Sequence, residues 1–108
     1  MIDLRQKELE IWQAKNFDVD KESLFLCALG MAEEVGELSH SIIKGTQKIR
    51  EGIDGINKEN VADAFADVVI YGIQVLSLLG IDAEDTLRYT ISYILKRDWI
   101  KNPVDGGV

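Results

Sequence analysis

The stretch that most limits what this chain can fold into is Val61 to Gly80, VADAFADVVIYGIQVLSLLG, its most apolar segment and one with a charge set inside it. A helix that is apolar on nearly every side is a core helix. From Ala64 to Gly80 the only carboxylate is Asp67, flanked by Phe65, Ala66, Val68, Val69 and Ile70. Taking an ionised carboxylate out of water costs several kcal/mol even after relaxation, so Asp67 is expected to face a partner, a metal or a water-filled cleft. With Asp67 as the origin and a turn of ~100° per residue, Asp63 falls at roughly −40°, Asn60 at roughly +20°, Tyr71 at roughly +40° and Gln74 at roughly −20°. Together they draw one polar line along an apolar rod.

The rest of the chain is read for what could meet that line. Its 108 residues make one domain, and one small enough that a second chain is expected to help cover the core. With 46% hydrophobic and 29% charged residues it is globular rather than disordered. One proline, Pro103, and glycines placed mostly between apolar runs favour helices joined by short turns. A net charge of −7, with no basic cluster long enough to follow a phosphate backbone, argues against duplex nucleic acid as a partner. The lone cysteine, Cys27, reads as a small buried hydrophobe in a reducing compartment. Asp67 interrupts the best candidate for a membrane span and no signal peptide is evident, so a soluble, cytoplasmic protein without membrane contact is expected.

Four helices are predicted. The first runs from Leu4 to about Asn16, with Leu4, Leu9, Ile11, Trp12 and Ala14 as its apolar side. After the turn NFDVDKES, where Asp20 or Ser23 can cap, Leu24, Cys27, Ala28, Met31, Val35, Leu38 and Ile42 repeat at helical spacing, predicting a second helix to about Ile49. EGIDGIN is a loop. The third helix spans Lys58 to Leu79, with Gly80 beyond its end, and Asp82 caps a fourth whose buried side is Ala83, Leu87, Ile91, Ile94, Leu95 and Trp99. The expected fold is all-α, a four-to-five-helix bundle over residues 1–102, followed by a frayed tail at 103–108.

The second helix carries Glu33-Glu34-Val35-Gly36-Glu37. With Leu24 at the centre of the apolar stripe, Glu34 lies near −80°, Glu37 near −140° and Glu33 near 180°. Glu34 and Glu37 thus share one shoulder, and Gly30 and Ser41 beside them leave room for a ligand. By itself such a run is ordinarily a solvated helix face. Paired with Asp63 and Asp67 on the next long helix it becomes a candidate oxygen cage for Mg²⁺, because like charges brought together repel without a cation between them.

These residues also carry a resemblance. EEVGEL, a loop of moderate length and then DAFADVVIYG resemble the MazG-like nucleoside triphosphate pyrophosphohydrolases, an all-α group. EIWQAKNF near the start is similar to that family's aromatic first helix, and KRDWIKNP near the end to its basic closing segment. Glu34, Glu37 and Asp67 match three of the family's four acidic positions. At the fourth, three residues before Asp67, stands Ala64 in place of glutamate, and Asp63 is the natural substitute because a four-residue step keeps both acids on one face.

The resemblance implies a homodimer or homotetramer that hydrolyses an NTP or dNTP to the monophosphate and pyrophosphate with Mg²⁺ or Mn²⁺. Glu34, Glu37, Asp67 and Asp63 would hold the metal, and Glu33 or one of the ligating glutamates would take the proton from the attacking water. Arg97, Lys101, Asn102, Lys44 and Lys48 are candidates for the phosphates, with a solvated surface amine as the plain alternative for each lysine. Trp12 and Phe17 are candidates to stack on the base, with a plain core role as the alternative for Trp12, and Asn60 to bond a base edge or phosphate or else to cap the third helix. A binding module that keeps the fold without hydrolysis is the alternative that Ala64 leaves open.

Overall fold

A computed structural model of the chain describes residues 3–20 and 22–107, with Glu51 by its backbone only. Among them every regular element is helical: α1 (Gln6–Asn16), α2 (Ser23–Gln47), a short 3₁₀ turn (Arg50–Gly52), α3 (Lys58–Leu78) and α4 (Ala83–Ile94). The all-α expectation holds, with the ends of the helices shifted by one or two residues.

The reasons for those ends are local. Asp20 Oδ1 accepts the Glu22 N–H at 2.9 Å, forming the turn that leads into α2. At the far end Lys48 takes a left-handed conformation (φ 57°), and its N–H and that of Ile49 fold back onto the Gly45 and Lys44 carbonyls. Asn57 Oδ1 caps α3 by accepting the Asn60 N–H at 3.1 Å, so Asn60 is the residue capped and Asn57 is the cap. Gly80, at φ 71°, closes α3, with the Ile81 N–H returning to the Leu76 carbonyl. Asp82 then caps α4 through the Asp85 N–H at 2.8 Å, as its position predicts.

α2 and α3 form an antiparallel hairpin. Cys27 meets Gln74, Gly30 meets Tyr71 and, just before α3 begins, Gly45 meets Ile56, so the partner's number falls as the number along α2 rises. The hairpin's base is tight because two glycines permit it. A Cβ on Gly45 would stand 2.6 Å from the Ile56 Cα, and one on Gly52 would stand 2.5 Å from the Gly45 nitrogen. Backbone cannot yield as a side-chain tip does, so Gly45→Ala is expected to destabilise the protein by about 1–3 kcal/mol, read as a lower urea midpoint at unchanged slope.

At its start α1 is tied to the end of α3 and the beginning of α4 by one amide. The Gln6 side chain donates to Ser77 Oγ at 3.0 Å and to the Ile81 carbonyl at 2.8 Å, while its oxygen accepts the Ala83 N–H at 2.8 Å. The C-terminal residues are also anchored, a feature the expectation of fraying did not include. Asp98 donates its N–H to the Gly106 carbonyl, Gly106 returns one to Asn102, and Gly106 is buried.

Burial departs from the predicted pattern. In the apolar stripe of α2, Cys27 is buried and Met31 and Leu38 are half-buried, but Leu24, Ala28, Val35 and Ile42 are exposed. In α4 only Ala83 is buried, while Leu87, Ile91, Ile94 and Leu95, with Trp99 beyond the helix, face solvent. Ile11, Trp12 and Ala14 of α1 are likewise exposed. The physical reason is that a single chain places no element over those faces. Its radius of gyration is 17.4 Å, against about 13 Å for a compact domain of this length. Its surface is 8400 Å², where a compact 12.1 kDa monomer exposes roughly 6000 Å². α3 is, by length and composition alone, apolar enough to cross a membrane, so Asp67 does not exclude that as the sequence reading expected.

Candidate active site between antiparallel helices

A cavity of about 530 Å³ opens where α1 crosses the α2–α3 hairpin. Trp12 and Phe17 form one wall, with ring centroids 5.6 Å apart in an edge-to-face pair. Glu34 of α2 and Asp67 of α3 line the same cavity. Asp67, Tyr71 and Gln74 all line the cavity, so the polar line along α3 faces one space over two turns.

Asp67 itself is exposed in the single chain and has no hydrogen-bond or ion-pair partner among the described residues. The prediction that its apolar flanks bury it is corrected by the packing, in which only Ala64, Ile73 and Gln74 of α3 are fully covered. Asp67 acts instead on its neighbour across the hairpin. The Glu34 carboxyl holds its proton more tightly than an ordinary glutamate, first because it is desolvated at the helix interface, then through repulsion by Asp67, Glu37 and Glu33.

That shift has a direct consequence for stability. Between the ordinary glutamate pKa and the raised one, the folded chain keeps a proton that the unfolded chain has lost. Without divalent cation, stability should therefore fall as pH rises through that window. Below it no penalty exists, and above it the penalty is complete. Urea titrations across the acidic range should show this slope in the wild type and a weaker one in Glu34→Gln.

The other predicted residues are placed less closely. Glu33 and Glu37 lie outside the cavity but near enough to repel Glu34. Asp63 is exposed one turn before Asp67 and does not reach the cavity wall, and Asn60 sits in the first turn of α3. Lys44 donates to Gln47 Oε1 at 3.4 Å, while Lys48 closes α2. Arg97 lies over the Tyr93 and Trp99 rings at 5.4 and 5.8 Å, and Lys101 and Asn102 belong to the closing turns. Among the described residues no three His, Cys, Asp or Glu side chains are close enough together to hold a metal in this arrangement.

The donor set nevertheless has the chemistry of a hard-cation site. It consists of carboxylate oxygens from two facing helices, with Asp67, Glu37 and Glu33 all acting on Glu34. Ala64 is buried, so a glutamate there would enter the helix interface rather than solvent.

Sequence reasoning missed six lining residues, of which Gln13, Ser23 and Cys27 are buried and Asp18, Leu26 and Ile70 are exposed. Gln13 is legible in retrospect: Gln6, Leu9 and Gln13 share one helical face, and that face, rather than the Ile11 and Trp12 side, turns inward. Compared with family models, curated proteins and solved structures, the chain matches none.

Proposed function

We propose that this chain is a divalent-cation-dependent pyrophosphohydrolase that splits a nucleoside triphosphate into the monophosphate and pyrophosphate. The observation that carries the reading is the meeting, in one cavity, of an aromatic pair and two carboxylates from facing helices. A flat apolar base and a polyphosphate joined to a cation ask for those two chemistries side by side. The resemblance of EEVGEL and DAFADVVIYG to MazG-like enzymes supports it.

In this reading Trp12 and Phe17 receive the base, and Glu34, Glu37 and Asp67, with Asp63 one turn away, hold Mg²⁺ or Mn²⁺. When bound, the cation neutralises phosphate charge and lowers the pKa of the water that attacks the α-phosphorus. The proton of that water would go to a carboxylate oxygen of the same cluster, on Glu33, Glu34 or Glu37. Arg97, Lys101, Asn102, Lys44, Lys48 and Asn60, placed away from the cavity in one chain, are assigned to the phosphates through a second copy.

That second copy is supported by the uncovered apolar faces. The excess surface of roughly 2400 Å² exceeds the ~800 Å² that each partner contributes to a standard interface. A homodimer, or a tetramer made of two, covers α3 and α4 with each other's apolar sides. It also makes the apolar surface of α3 an interface rather than a membrane span, in keeping with a cytoplasmic protein that clears surplus or modified nucleotides. The test is thermal: Mg²⁺ should raise the melting temperature and EDTA reverse it, because a ligand bound only by the folded state stabilises it by mass action. A bundle with merely acidic faces shows no shift.

One observation favours a second reading, a nucleotide-binding module that does not hydrolyse. Ala64 is buried at the position where the resemblance to MazG-like enzymes leads one to expect glutamate. A large gain in turnover on Ala64→Glu would support that reading, and no gain, or a loss, would mean that Asp63 already serves.

A further inference from the structure

Gln13, Cys27 and Gln74 form a chain of side chains across three helices. Gln13 Nε2 donates to Cys27 Sγ at 3.4 Å, and Sγ lies 3.8 Å from Gln74 Oε1, to which the thiol proton points. The two glutamines are only 6% and 5% exposed, and all three residues line the same cavity as Trp12 and Phe17. Burying two primary amides in a core this small is costly unless they are used. Each has one end committed to the thiol. The other ends, Gln13 Oε1 and Gln74 Nε2, have no partner among the described residues, yet no fully buried side-chain nitrogen or oxygen is left unsatisfied. Those two ends are therefore not sealed from solvent, and both residues line the cavity.

We propose that Gln13, Cys27 and Gln74 are a relay that reads the pairing edge of a nucleobase stacked on one ring of the Trp12–Phe17 pair and edged by the other. The inference rests on the cavity taking a nucleotide, and it adds how the base is recognised. A thiol has one proton and so donates to one amide while accepting from the other. With the proton directed at Gln74, the cavity is offered an acceptor from Gln13 and a donor from Gln74. If both amides turn over and the thiol proton reverses, donor and acceptor change places. In either state the pair presents one of each. Every common base carries an adjacent donor and acceptor on its pairing edge, in one order or the other. The relay thus selects for an unblocked edge rather than for one base.

The test uses the full chain with Mg²⁺ and two matched pairs, dTTP against N3-methyl-dTTP and dATP against N6,N6-dimethyl-dATP. Binding is read by thermal shift, and pyrophosphate release is scored separately. The methyl groups leave stacking intact and block the edge. In the wild type the blocked member of each nucleotide pair that binds should bind at least about tenfold more weakly. In Gln74→Leu and Cys27→Ala that ratio should fall to near one, while Cys27→Ser, whose hydroxyl can relay a hydrogen bond, should retain it. Gln13→Leu, on a different helix, carries the same expectation if Gln74→Leu does not fold.

Equal binding of blocked and unblocked nucleotides by the wild type overturns the relay, as does a ratio that survives Gln74→Leu or the absence of binding by all four. Discrimination without pyrophosphate leaves the relay standing and removes the hydrolytic reading. Pyrophosphate without discrimination does the reverse.

Discussion

Asp67→Asn is expected to lower kcat/KM for nucleotide hydrolysis by roughly 100-fold or more while leaving the metal-free protein as stable as the wild type or more so. The two halves of this result have one cause. Asp67 repels Glu34 across the hairpin and has no partner of its own among the described residues, so in the absence of a cation its charge is a burden on the fold. Asparagine keeps the shape and removes the charge. Glu34 then returns toward the ordinary glutamate range, the pH slope of stability flattens, and the rise in melting temperature on adding Mg²⁺ shrinks or disappears. A residue that only supported the helix would behave in the opposite way, losing stability along with activity. Steady-state kinetics and melts with and without Mg²⁺ on the same preparation separate the two cases.

The second large effect is expected on α4. Leu87, Ile91 and Ile94 lie on an exposed apolar side, and Leu95 follows at 78% exposure. The salt bridges of this helix, from Arg88 to Glu84 and Asp85, are on the surface and worth little. If a second copy covers that side, Ile91→Asp loses the burial of an isoleucine and places a carboxylate in the interface. The cost is on the order of 3 kcal/mol per copy, counted twice because the interface of a symmetric dimer repeats every contact. The dimer dissociation constant should then rise on the order of 10⁴-fold. Sedimentation velocity should show a dimer or tetramer in the wild type and a monomer in the variant. The melting temperature of the wild type should also rise with protein concentration. A wild-type chain that stays monomeric at high concentration would remove the second copy from the account.

Local chemistry made the helices legible. Gly80 ends α3 because a left-handed residue is needed there, and Asp82 starts α4 because its carboxylate reaches the Asp85 N–H. The site was legible as far as helical spacing carries. The line from Asp67 through Tyr71 to Gln74 faces one cavity, and its extension to Asp63 and Asn60 does not. Burial was the least legible property. Periodicity tells which face of a helix is apolar, but not whether the chain's own elements or another copy cover it. Much of the apolar side of α2, and all of that of α4 but Ala83, was therefore read as core and stands exposed. Gln13 escaped notice because a polar residue on a short, weakly amphipathic helix reads as surface. What turns it inward is the Gln6 clamp, made to residues more than seventy positions away.

The measurement that bears most directly on the central proposal is product analysis. The purified protein, with Mg²⁺, is incubated with a panel of common and modified NTPs and dNTPs, and the products are separated. The expected result is a nucleoside monophosphate and pyrophosphate in equal amounts, abolished by EDTA and by Asp67→Asn. Orthophosphate in place of pyrophosphate, or no product from any nucleotide, would contradict it.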